Sequence, residues 1–167
     1  MRKYTAHMIT DSGQPALDPD HEAAWRTYLR AHALLERQLD RELRTECRIT
    51  LNAYDALVQL SESPGRQLRM KDLADALVYS ASGLTRVVDA LERSGLATRE
   101  KDPSDRRALL VTMTPEGLAT LDRAWPVHLR GVNRYWADHL TAQQARTVQR
   151  VFAAVADEVT GSADTAS

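Results

Sequence analysis

The feature that most constrains this chain is an amphipathic helix that stops at a glycine and runs straight into a hairpin. Leu84, Val87, Val88 and Leu91 fall at i, i+3, i+4 and i+7, one face of an α-helix, while Thr85, Arg86, Asp89 and Arg93 lie elsewhere on its circumference. One face therefore packs, and another stays open to a partner. Ser94 and Gly95 end the helix, because glycine takes the left-handed conformation after a helix at little steric cost. Two short strands are expected next, over residues 96–100 and 108–113, separated by the turn formers Asp102, Pro103, Ser104 and Asp105. The tip of that hairpin carries Arg106 and Arg107.

The flanking pattern is helical. Before the amphipathic helix, residues 70–77 read as a brief helix and Val78, Tyr79 and Ser80 as a turn, with Ser80 placed to accept from the first free N–H groups of the longer helix. A short helix, a tight turn and a longer helix make a helix-turn-helix, and the hairpin is its wing. Upstream, Trp25, Tyr28, Leu29, His32, Leu35, Leu39 and Leu43 recur at three and four over residues 20–44, a first helix. Thr50 caps a second, with Leu51, Tyr54, Leu57, Val58 and Leu60 inward, and Ser61 to Gly65 stops it. Downstream, Thr114 and Pro115 open a helix expected to reach about His139. Leu118, Leu121, Trp125, Leu129, Val132 and Trp136 form its stripe, and Pro126 should kink it. Thr141 and Gln144 make a capping box for a last helix with Val148, Val151, Phe152, Val155 and Val159 on one face. The fold class is mainly α with a small β-hairpin wing.

Composition sets limits on partners. With 167 residues, 43% hydrophobic and 27% charged, the chain is in the globular range. Its net charge of −1 means that attraction to phosphate must come from local clustering. A single cysteine, Cys47, allows no disulfide within the chain and no cysteine-built zinc finger, so a reducing cytoplasm is the expected compartment. No apolar run is long enough to span a bilayer and the start lacks a signal-peptide core, so no membrane partner is expected.

Several words recur in order along the chain: Asp72 to Ala74, Ser82 to Arg86, Leu91 to Leu96, Asp102 to Arg107 and Thr114 to Gly117. With the element order, they resemble the MarR family of bacterial transcription regulators, over about Trp25 to Val159. The resemblance implies a winged helix-turn-helix homodimer on a pseudo-palindromic double-stranded DNA operator. It also implies repression relieved by a small, often aromatic or anionic, effector. The corresponding division is a flexible segment at residues 1–19, a dimerisation lobe from 20–48 and 114–160, a DNA-binding domain at 49–113 and a tail at 161–167. In this family a wing Asp-x-Arg arrangement puts an arginine in the minor groove, and the matching positions are Asp105, Arg106 and Arg107.

Physical chemistry supplies reasons for those residues. A helix fits the major groove, where Ser80, Ser82 and Thr85 offer short polar groups and Arg86 a long donor for base edges or phosphates. Arg107 suits a narrow minor groove of negative potential, with Asp105 expected to hold its guanidinium in a bidentate pair. Arg106, on the other side of the strand, would meet a phosphate. A plainer arrangement pairs Arg106 and Arg107 with Asp102 or Asp105 at the surface.

Other residues carry weaker signals. Trp25, Trp125 and Trp136 read as core or dimer packing. Trp25, Tyr54 and Tyr79 are the candidates for an effector pocket. Cys47 is expected to be an inert thiol, although Arg44 and Arg48 could lower its pKa toward a redox switch and Glu46 opposes them. The five histidines show no metal-ligand spacing, so no metal or cofactor is nominated, and no phosphate loop or nucleophile elbow points to an enzyme. The alternatives are a redox- or metal-responsive regulator, or a winged-helix protein-interaction module.

Overall fold

The computed structural model describes residues 17–105 and 107–164, with side chains to residue 161. Its elements are α1 (Pro19–Cys47), α2 (Leu51–Glu62), β1 (Gln67–Arg69), α3 (Met70–Ala76), α4 (Ala81–Arg93), β2 (Ala97–Lys101), β3 (Leu109–Met113), α5 (Pro115–Tyr135) and α6 (Ala142–Asp164). By internal contacts the chain divides into residues 1–36 and 37–167, with the boundary inside α1.

In the first unit the described residues are Leu17, Asp18 and the start of α1. Arg26 pairs with Glu22 one turn earlier, and Tyr28 stacks on His32 at 5.8 Å between ring centroids.

The second unit holds the core. Leu43, Tyr54, Leu57, Leu60, Leu73, Leu84, Val88, Leu91, Val111 and Leu121 are buried there. The spacing of the anticipated α4 face is therefore the spacing of its buried side chains, with Val87 half-buried at the edge. Caps fall where side-chain chemistry places them. Thr50 Oγ1 accepts from the Ala53 N–H at 3.0 Å and Thr114 Oγ1 from the Gly117 N–H at 3.0 Å. Thr141 and Gln144 exchange the two bonds of a capping box.

After α4 the Leu96 N–H donates to Leu91 O and the Gly95 N–H to Glu92 O, both at 2.9 Å, with Gly95 at φ +70°. This double closure delivers the chain into β2 with Leu96 folded onto the core. α3 ends in the same way, yet its left-handed position is Val78 at φ +55°. A β-branched residue is strained there.

Three expectations need correction. The sheet has three strands in the order β1-β3-β2, all antiparallel, because Gln67–Arg69 pairs with β3 on the side away from the hairpin. α5 ends at Tyr135, four residues short of His139, and Ala137–His139 is a separate turn of 3-10 helix. It runs through Pro126 as one element. Pro126 and Asp122, whose carbonyl loses its partner, are both exposed, so water can satisfy that oxygen.

The third correction concerns the stripe. α5 buries Gly117, Thr120, Leu121, Ala124, Val127 and Gly131, while Trp125 is 52% exposed and Leu129 and Trp136 are also open. Small residues win because the backbone comes close. A Cβ on Gly117 would lie 2.1 Å from Leu96 O, and one on Gly131 would lie 2.6 Å from Leu39 Cδ2. None of the three tryptophans is core, since Trp25 is 53% exposed.

Candidate nucleic-acid interface

The outward face of α4 begins at its cap. Ser80 Oγ accepts from the Gly83 N–H at 3.2 Å and lies 3.3 Å from Ser82 Oγ, so its first role is to close the helix end. Thr85 Oγ1 donates to Ala81 O at 2.8 Å, which leaves its lone pairs facing out. Arg86 is exposed, and its guanidinium makes no ion pair or hydrogen bond among the described residues. Its neighbours are engaged: Arg93 Nε donates to Asp89 O, and Arg99 of β2 reaches Asp89 and Glu92, each at 2.8 Å. Arg99 thus ties the wing's first strand to the last turns of α4.

The hairpin tip differs from expectation. Asp105 does not hold the Arg107 guanidinium. Its Oδ1 accepts the backbone N–H of Arg107 at 3.0 Å, a local turn closure that a short carboxylate makes more readily than a pair with a long neighbouring side chain. The Arg107 guanidinium makes no ion pair among the described residues and projects from an exposed residue. Arg106 lies outside the described residues.

Nor does Asp102 meet the tip arginine Arg107. Asp102 is 5% exposed, and Arg69 Nε donates to its Oδ2 at 2.7 Å. The Ser104 N–H and Oγ both donate to its Oδ1 at 2.7 Å. The two Ser104 bonds, helped by Arg69, hold this carboxyl at about 2, below its ordinary 3.8. Sequence reading missed Arg69. Its signal, an arginine just before a helix where a capping Ser or Thr is usual, becomes legible only once β1 is known to pair with β3.

A cleft of about 450 Å³ opens between the start of α3 and the hairpin tip, with Arg69, Lys71, Asp72, Asp105 and Arg107 among its walls. It brings cations of β1, α3 and the wing to one place.

The effector candidates divide between the two units. Tyr54 is 2% exposed and stacks on His128 at 4.4 Å, and burial, with Asp55 adding, pushes its phenol up to about 12. It is a residue of the core cluster. Tyr79 is half-buried against the same core. Trp25 belongs to the other unit, 5.8 Å from Tyr28 between ring centroids.

Cys47 is half-buried, and its Sγ lies 3.8 Å from Arg123 O. Burial raises its pKa, Glu46 adds to that, and the opposing cations are Arg123 and Arg130 instead of Arg44 and Arg48. Among the described residues no group of His, Cys, Asp and Glu is arranged to hold a metal, and no helix is long and apolar enough to cross a membrane.

Known proteins share this fold. Residues 49–108 match a model of the MarR family. AbsC, a MarR family transcriptional regulator from Streptomyces coelicolor, is 34% identical with a TM-score of 0.83, over 89% of this chain and 99% of that one. The chain belongs to the MarR family. A second MarR family regulator of that organism, Sco3205, solved in complex with DNA, is 35% identical over 86% of this chain and 94% of its own, also with a TM-score of 0.83. A putative transcriptional regulatory protein for the hcr operon of Thauera aromatica is 36% identical over 87 residues, 52% of this chain and 51% of its own. The chain spans about half the length of the first curated relatives it matches. The fold of this MarR family member is a winged helix with a three-stranded sheet.

Proposed function

We propose that this MarR family chain is a sequence-specific double-stranded DNA-binding regulator that acts as a homodimer in the cytoplasm. The N-terminal half of α4 enters the major groove with Ser82, Thr85 and Arg86 toward base edges, Ser80 near the backbone, and Arg107 of the wing in the adjacent minor groove. The observation that carries this reading is the pair of guanidiniums, Arg86 and Arg107, that have no partner among the described residues, on two elements locked to one core while Arg69, Arg93 and Arg99 are engaged. Unneutralised cations on a rigid frame suit a polyanion. Support also comes from Sco3205, a relative solved with DNA. Asp105 serves the wing by closing its turn, and Arg106 is assigned to phosphate.

In this reading residues 49–113 carry DNA binding, and 20–48 with 114–160 carry dimer contacts. Support comes from the exposed apolar residues Val151, Val155 and Val159 of α6, Trp125 and Leu129 of α5 and Trp136 just after it, faces that a second copy would cover. Repression follows where the operator overlaps a promoter, and release by a small aromatic or anionic effector is the control the family resemblance implies. No catalytic role is proposed.

Selection from random duplexes tests the reading. The expected product is a pseudo-palindrome with half-sites about one helical turn, roughly 10 base pairs, apart, bound by a species that sediments as a dimer. Recovery of unrelated sequences with no symmetry, or a monomer on the selected site, would overturn it. Unselective binding of all duplexes together with capture of a protein ligand would favour the interaction-module alternative.

A further inference from the structure

Arg69 stands at the last position of β1 and is the residue before the first turn of α3, yet its side chain makes no bond to that helix end. It reaches instead across the sheet. Arg69 is opposite Leu110 of the central strand, and Lys101, the last residue of β2, is opposite Leu109, so Arg69 and Asp102 flank β3 at the same end. Their 2.7 Å ion pair, with Arg69 Nη2 donating to Ser104 Oγ at 3.1 Å, bridges over β3 and joins the two outer edges. Asp102 is itself the foot of the tip loop. Its N–H donates to Ala108 O at 3.0 Å, its carbonyl accepts from Asp105 N at 3.2 Å, and Asp105 in turn accepts the Arg107 N–H.

We propose that Arg69 is a positioning residue for the wing: through buried Asp102 it fixes the loop that presents Arg107, so that DNA affinity depends on Arg69 without Arg69 meeting the DNA. This rests on the DNA-binding reading above. The connection runs Arg69, Asp102, Asp105, Arg107, each link a bond named here. The sheet alone would leave the tip hinged, because strand pairing ends at Lys101 with Leu109 and the loop beyond it has only its own turn bonds. The Arg69 bridge removes that hinge by anchoring the loop to the start of α3. Pre-ordering the loop lowers the entropy lost when Arg107 enters a groove.

The test uses the full chain on its selected duplex. Arg69→Met, which keeps the stem, and Asp102→Asn are measured singly and in the Arg107→Ala background. Loss of one positioned contact predicts about tenfold weaker binding for each single variant, and little further loss when Arg107 is already gone. Asp102→Asn separates this account from simple charge. Removing an anion next to DNA strengthens binding if electrostatics alone act, whereas the bridge predicts weakening.

Tighter or unchanged binding by Asp102→Asn overturns the proposal. So does an Arg69→Met loss that persists undiminished without Arg107, the signature of a direct phosphate contact. Amide exchange at Ser104, Asp105 and Ala108 in the DNA-free protein supplies an independent readout, faster in Arg69→Met with α4 unchanged. Were the parent to bind no duplex, faster exchange would keep the bridge and remove the DNA reading, while unchanged exchange would remove the bridge. Should Arg69→Met fail to fold, Arg69→Lys retains the charge but cannot reach Asp102 and Ser104 with one planar fork, and the same comparisons apply.

Discussion

Substituting Gly117 by alanine adds one methyl group where the structure has no room. The new Cβ would sit 2.1 Å from Leu96 O and 2.9 Å from Met113 Cγ, both inside the 3.0 Å that Cβ atoms keep. Met113 can turn aside, but the Leu96 carbonyl cannot. It accepts from the Thr114 N–H at 3.0 Å, and the Leu96 N–H is bound to Leu91 O, so relief requires α5 to move off the junction of α4 and the sheet. Overpacking costs about 1–3 kcal/mol, and contact with pinned backbone places this case at the upper end. Alanine recovers about 1 kcal/mol of helix propensity. The net expectation is a loss of about 2 kcal/mol, or about 4–8 °C in Tm for a chain of this size. Thermal unfolding followed by far-UV circular dichroism, at fixed protein concentration, reads it out. Gly161→Ala is the control, because nothing lies within 4 Å of its Cβ and only the propensity gain remains. A Gly117→Ala protein as stable as the parent, or more so, would refute the packing argument for why α5 buries its small-residue face.

Three further outcomes are expected. Val78 is 91% exposed at φ +55°, so Val78→Gly should relieve left-handed strain and stabilise the protein by about 1 kcal/mol, and a lower Tm would contradict that. The Asp102 carboxyl is held at about 2 against an ordinary 3.8, so its contribution is complete above 3.8 and is lost as pH falls through 2. NMR titration of the Ser104 amide should show that step in the parent and none in Asp102→Asn. With its pKa raised by burial, Cys47 should react with a disulfide reagent more slowly than free cysteine at neutral pH. Faster reaction would favour the redox-responsive alternative.

Much of the architecture was legible because local signals agreed. The i, i+3, i+4, i+7 spacing of Leu84, Val87, Val88 and Leu91, the cap residues Thr50, Ser80 and Thr114, and the stop at Gly95 each name their element without tertiary information. What stayed hidden depends on distant contacts. β1 is only three residues and exists because β3 pairs with it. The buried face of α5 includes Gly117, Thr120, Ala124 and Gly131 beside Leu121 and Val127, and hydropathy ranks those four below tryptophan although small residues alone permit the close approach. At the site, the exposure of Ser82, Thr85 and Arg86 follows from helical phase. The true partners of Asp102 and Asp105 do not, because a carboxylate's choice among nearby donors is set by loop geometry.

Amide exchange across the whole chain, with and without the selected duplex, tests the central claim most directly. The account predicts that DNA slows exchange over residues 80–86 and 102–108 and leaves α6 unchanged. Protection confined to α6, or an unchanged α4 and wing in a sample that is fully bound, would contradict it.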